Sequence, residues 1–351
     1  MLEDEVRKVI EISSNKLLQS SSPSVRYWVL TDIVRKGRED LQVQRALDEC
    51  ERYPPRVRLV QGIQADGTWP ISERQRRMDP ADFHAPSYHI HMTQLKNLLR
   101  LLHFVTRLGD ERIDPALERL LSWQTEEGYI AGPVVHPFPQ PHYNGYALYI
   151  LAGFMPETDP RVARIAEWLM STQRRDGGWS MPYIQDVRYL PEYRRMRTEE
   201  FVRVMRRGEK PRMTPADMQD VPSCHWTTML VLWGLAEKPE LRNCRVVQRG
   251  TDLILNRFFQ RNPHDNLYPH GRNWTTIRYP HNKCNGLAAL DVLTKIGKGP
   301  DDPRMERPIR WLLSARYRDG FWTDSDRPHA EAGQWMTLVA IEVLDRFIHR
   351  F

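Results

Sequence analysis

The sequence predicts an all-α fold, an (α/α)6 toroid with six inner helices ringed by six outer ones. Three observations carry this expectation. An Asp-Gly turn followed by an aromatic anchor recurs along the chain. Two kinds of helical segment alternate between the turns. The period-two alternation that marks half-buried strands is scarce.

The turn reads "QRRDGGW" at 173–179, with copies "QADGTW" (64–69), "QTEEGY" (124–129) and "RYRDGFW" (316–322). A worn fifth copy lies in "FFQRNPHDNLYPHG" (258–271). Glycine enters positive φ at no steric cost, which explains the Asp-Gly step. Trp69, Tyr129, Trp179 and Trp322 then occupy one slot. Self-similarity at roughly 50 residues marks a stack of like units, none able to bury its own apolar face alone.

The segments before the turns are amphipathic: "PRVRLVQGI", "ALERLLSW", "DPRVARIAEWLMSTQRR" and "RPIRWLLSA". A charged face assigns them to the outer layer. Residues 2–19 have the same character and supply the first outer helix. Asp-Pro pairs at 114–115, 159–160 and 302–303 mark helix starts, with Asp at or near the N-cap and Pro in the first turn.

The segments after the turns are apolar nearly all round, as buried helices are. They are "SPSVRYWVLTDIV" (22–34), "APSYHIHMTQLKNLLRLLHFV" (85–105), "PHYNGYALYILAGF" (141–154), "PSCHWTTMLVLWGLAE" (222–237), "PHNKCNGLAALDVLTKIG" (280–297) and "PHAEAGQWMTLVAIEVLDRF" (328–347). The repeat makes residues 1–351 one domain.

Composition narrows the setting. The four cysteines are scattered without a paired motif, as in a reducing compartment. The acidic, helical N-terminus is unlike a signal peptide, and no apolar run reaches the ~18–20 residues of a spanning helix. A cytoplasmic protein is expected, with peripheral membrane contact left open. The net charge of +6 is concentrated in "RYLPEYRRMRTEEFVRVMRRGEKPR" (188–212). No helix-turn-helix, zinc finger or RNP-like motif accompanies it, so nucleic acid is not expected as a partner.

The Gln…Asp-Gly…Trp pattern resembles the QW repeat of squalene–hopene cyclases and the related repeats of protein prenyltransferase β subunits. The likeness runs from about residue 22 to 347, and is closest to short, single-toroid, prenyltransferase-like members of that family. It implies that Gln helps to cap the outer helix, that Trp stacks at the turn, and that an isoprenoid or other largely apolar molecule is bound centrally. It is specific for fold, not for activity.

Candidate chemistry gathers before the inner helices. His84, His89 and His91, His136 and His142, Cys224 and His225, His281 and Cys284, and His329 and Glu331 all stand at or near inner-helix starts. Parallel inner helices would bring them to one rim and place the pocket there, although buried helix starts also need polar caps. The prenyltransferase resemblance places a zinc ligand at Cys284, with His281, His329 and Cys224 as companions, but Asn282 replaces the family's charged Asp. The cyclase resemblance points to Asp324 and Asp326 as acids, with Arg327 in place of the final Asp; such a neighbour favours ionised carboxylates. Glu331 and His225 complete the catalytic candidates.

His89, His142, Tyr143, Trp226 and Trp335 are candidate ligand contacts, with Trp233 and Tyr146 as further aromatics able to stabilise a cation. Ordinary core packing explains the same aromatics. Asp79, Asp82, Asp324, Asp326 and Glu331 would serve a carbohydrate-active α/α barrel instead, which needs paired acids. A non-catalytic toroid that binds a ligand or protein stays open. Residues 181–221 interrupt the repeat before Pro222. They read as a solvated helix or as a basic lid, with Arg203, Arg206 and Arg207 suited to an anionic head group or an acidic membrane.

Overall fold

The computed structural model describes residues 2–80, 84–106, 110–132, 138–209, 211–214, 216–264, 271–278, 285–317, 319–323 and 330–349. Regular structure among the described residues is helical; β structure is limited to two isolated bridges, Gln124 with Ile130 and Trp179 with Cys224. The all-α class expected from the sequence is what the chain adopts.

The amphipathic set comprises α1 (Leu2–Leu17), α3 (Leu41–Glu51), α4 (Pro54–Gln61), α7 (Asp114–Leu121), α9 (Pro160–Ser171), α12 (Arg245–Asn256) and α14 (Glu306–Ser314). In α9 the buried residues are Val162, Ile165, Ala166 and Leu169, one apolar stripe at i, i+3, i+4 and i+7. The apolar set comprises α2 (Pro23–Trp28), α6 (Pro86–His103), α8 (Pro141–Phe154), α11 (His225–Leu235), α13 (Gly286–Lys295) and α15 (Glu331–Ile348). Every residue of α11 is buried. Short α5 (Glu73–Arg76) and α10 (Thr198–Arg206) lie outside both sets.

Contacts between the apolar helices form a circuit. α6 packs on α8, α8 on α11, α11 on α13, α13 on α15, and α15 on α2. The Trp28 indole at the end of α2 donates to the His103 carbonyl at the end of α6 (2.9 Å) and completes it. α8 and α11 approach backbone to backbone: a Cβ on Gly145 would lie 2.2 Å from the Leu230 carbonyl oxygen.

The repeated turns stitch the amphipathic helices together. Gln173 Nε2 donates both to Gly177 O in its own turn (2.7 Å) and to Val246 O in α12 (2.7 Å). Gln124 does the same to Gly128 O (2.8 Å) and Arg161 O in α9 (2.9 Å). The indoles of Trp69, Trp179 and Trp322 each donate 2.8 Å to the carbonyl ten residues upstream, of Leu59, Leu169 and Leu312. The turn glycine Gly177 has φ +96° and abuts the Arg249 backbone. A second stitch was not foreseen. Asp159 caps α9 and receives both arms of Arg161, whose guanidinium also reaches Glu118 of α7. Asp302 and Arg304 repeat this with Asp252 of α12. The last turn meets the first helix: Ser13 Oγ donates to Gly320 O (2.7 Å), and Lys16 to Asp319 O.

The worn fifth copy finds its anchor beyond the stretch that suggested it. Fully buried Trp274 donates to Gln260 O (2.7 Å).

The insertion at 181–221 has its own small core of Val187, Leu190, Phe201, Met205, Met218 and Val221. A buried ion pair, Arg174 with Asp186 (2.5 Å), ties it to the third repeated turn. Its helix α10 buries Phe201, Val202 and Met205 and leaves Glu199, Glu200, Arg203 and Arg207 exposed.

Candidate functional site

A cavity of about 350 Å³ receives residues from all six apolar helices or their immediate ends. Trp28 closes α2, Leu102 and His103 close α6, Tyr149 and Gly153 lie late in α8, Glu237 follows α11, Asp291 lies midway along α13 and Lys295 ends it. α15 runs along it from Trp335 to Arg346. The cavity therefore lies toward the C-terminal ends of α2, α6, α8 and α11, away from the helix starts where the histidines and cysteines stand.

One backbone departure builds its mouth. After Trp28 the chain continues as a π-turn, Val29–Ile33, in which Val34 N–H bonds to Val29 O (2.9 Å). Such turns add a residue and re-aim side chains. Here the added width carries Asp32 to the cavity wall. Arg35 follows at φ +59° and pairs with Asp345 of α15 (2.8 Å). Asp32, Glu342 and Arg346 also line an adjoining hollow of about 330 Å³.

The wall combines charged and aromatic groups. Arg346 pairs with Asp291 on α13 and stands 3.8 Å from Glu342. Lys295 pairs with Glu237 and sits 5.4 Å above the Tyr149 ring. Tyr149 stacks on Trp233 (3.9 Å), and His103 lies 5.3 Å from Trp335. Burial raises the Glu342 carboxyl to about 8; Arg346 and Lys295 oppose the rise, while Asp32 and Asp291 reinforce it. Burial also raises Asp32, against the hydrogen bond from Thr31 Oγ1. Asp32 is exposed at the mouth, so solvent screens that effect. Glu342 is thus a neutral acid at pH 7, able to donate a hydrogen bond or a proton, beside acids whose environments differ.

Of the residues singled out from sequence, Trp335 lines this cavity. Asp324, Asp326, His281, Cys284 and His329 lie outside the described residues. Glu331, first in α15, accepts from Tyr53 Oη (3.3 Å). Cys224 is the buried N-cap residue of α11, and its Sγ is approached by Gln185 Nε2 (3.0 Å) and Asn262 Nδ2 (3.2 Å). The described member of the zinc set is thereby engaged by two amides. Among the described residues, no three His, Cys, Asp or Glu side chains are grouped to hold a metal. His225 is fully buried beside Trp274, and desolvation lowers its pKa to about 3, so it is neutral.

His89 faces Gln75 (3.1 Å) and Met78 (3.2 Å). His142 stacks on buried Tyr143 (4.2 Å), and Trp226 packs on Trp274 (4.6 Å). Arg206 donates to Pro80 O (3.0 Å), and Arg203 and Arg207 share its helix end. None of these residues reaches the cavity wall. Among the described rim residues, His89, His142, Cys224, His225 and Glu331 pack or hydrogen-bond at or near helix starts.

The cavity residues that sequence reasoning missed had a signal. Asp291–Lys295 and Glu342–Arg346 are two i,i+4 spacings of opposite charge set into largely apolar helices. Charge on a buried helix face needs a partner or a solvent-filled space.

No family model matches the chain, and no curated protein matches it. Among solved structures it is similar to a protein from Actinoplanes at 13% identity, over 99% of this chain and 100% of that one, with a TM-score of 0.47. A likeness at that level assigns no function. No helix among the described residues is long and apolar enough to cross a membrane.

Proposed function

We propose that the protein is an α/α toroid that binds a compact, partly apolar small molecule on its axis, with Glu342 as the group that donates a hydrogen bond or a proton to it. The observation that supports this most is the convergence of all six apolar helices on one cavity that holds a carboxyl neutral at pH 7. Aromatic and aliphatic walls with a few convergent polar groups are the usual make-up of a ligand site.

An isoprenoid would suit Trp28, Leu102, Trp335 and Leu338. Ring closure by alkene protonation has less support, because it needs a strong acid and burial makes Glu342 a weak one. Zinc enters no step of this reading. The test is native mass spectrometry of the purified protein, searching for a co-purifying small molecule. Val339→Phe, which fills the cavity, should abolish that mass while circular dichroism stays unchanged. A ligand retained in full by the filled variant places the site elsewhere.

A further inference from the structure

The same cavity has a chemical preference that its shape alone does not state. Its wall carries four carboxyl groups, Asp32, Glu237, Asp291 and Glu342, against two cations, Lys295 and Arg346. The chain as a whole has net charge +6, so this excess of acid runs against the general balance. Both cations are already engaged. Lys295 is held by Glu237, and Arg346 by Asp291. Neither is left to recruit an anion.

The acids are not equally engaged. Among the described residues no cation pairs with Asp32; its Oδ1 accepts from the neighbouring Thr31 hydroxyl (2.6 Å). Glu342 has Arg346 no closer than 3.8 Å. The indoles of Trp28 and Trp335 line the same cavity, four and seven residues before these two acids in the chain. Carboxylates and aromatic rings lining one cavity form the environment that attracts an organic cation, through charge and ring quadrupoles together.

We propose that the cavity binds an organic ammonium ion, with its charged head between Asp32 and Glu342 and its hydrocarbon body against Trp28 and Trp335. This rests on the cavity being the ligand site. Binding is linked to a proton. Glu342 faces Asp32 after α2, Asp291 and Lys295 on α13, and Arg346 on its own helix. Glu237 is held by Lys295, and Asp345 by Arg35. The arriving cation favours the ionised form of Glu342, whose O–H bond breaks and whose proton passes to the buffer.

The experiment is isothermal titration calorimetry of the full chain at pH 7 with benzyltrimethylammonium, whose charge is permanent, with neutral benzyl alcohol and with farnesol. The ammonium should bind about tenfold or more tightly than the alcohol. Repeating it in two buffers of different ionisation enthalpy should show proton release, which Glu342→Gln removes. Asp32→Asn, at the exposed mouth where folding is not at risk, should weaken the ammonium by about tenfold and leave the alcohol unchanged. Equal affinity for the two probes overturns the cation preference. So does binding of benzyl alcohol or farnesol without the ammonium, although the cavity then stands as the ligand site. If none of the three binds, both readings fall.

Discussion

Glu342→Gln separates the electrostatic account of the cavity from simple packing. The substitution keeps shape and removes the ionisable group. In the folded protein the carboxyl is raised from 4.5 to about 8. A group raised on folding adds stability that is fully present below its unfolded value and is lost as pH rises through its folded one. Complete sequestration would make that loss about 4–5 kcal/mol, at about 1.4 kcal/mol per pH unit. The Glu342 side chain is 17% exposed, and solvent access reduces the expected figure to about 2–4 kcal/mol. Urea unfolding at about pH 5 and about pH 9 measures it. The native chain should lose about 2–4 kcal/mol more than Glu342→Gln between these conditions. Asp32 and the remaining acids titrate in both proteins and cancel in the difference. Parallel stability profiles, within about 0.5 kcal/mol, would show that Glu342 ionises normally and would remove the acid from the proposed site.

Three further outcomes test the scaffold. Trp322→Ala should cost about 3–5 kcal/mol in denaturant unfolding, because a fully buried indole and its bond to Leu312 O are both lost. Gly177→Ala should cost at least about 2 kcal/mol, since its Cβ would lie 2.9 Å from the Arg249 carbonyl oxygen. Gly208→Ala, at nearly the same φ with open space around it, should cost about 1 kcal/mol, and similar losses at the two sites would deny the turn its role as a joint. Asp186→Ala leaves the Arg174 guanidinium buried without its carboxylate, so a fall of about 3–5 kcal/mol is expected. An unchanged melting temperature would show that the insertion is only loosely attached.

The helical class and the repeat were legible because both are written in local chemistry. Asp-Gly turns, Asp-Pro starts and the contrast between amphipathic and wholly apolar helices each follow from a few neighbouring residues. The site was less legible for the opposite reason. Histidine and cysteine attract attention as reactive types, yet His225 is a neutral buried ring and Cys224 an engaged thiol at a helix start. Asp32, Asp291 and Glu342 look like ordinary helix charges until the circuit brings their helices together. The π-turn that delivers Asp32 has no sequence marker of its own. The DPR stitch could have been found: "DPR" occurs at 159–161 and again at 302–304. The insertion's charge drew the eye to its arginines, whereas its attachment depends on Asp186.

The meeting of the last turn with the first helix has a consequence for synthesis. The other turn joints described, Gln124 with Arg161 and Gln173 with Val246, connect residues 37 and 73 positions apart. This one spans 307 residues, from Ser13 to Gly320, and cannot form until both have been made. Until α15 emerges, Val6, Val9, Ile10 and Leu17 of α1 lack the helix they pack against. A nascent chain is then an open arc with the apolar face of α1 uncovered, and α15 acts as its clasp. Long-range closure of this kind is slow and leaves time for wrong partners. The polar contacts of Ser13 and Lys16 with that turn make the correct partner recognisable when it arrives.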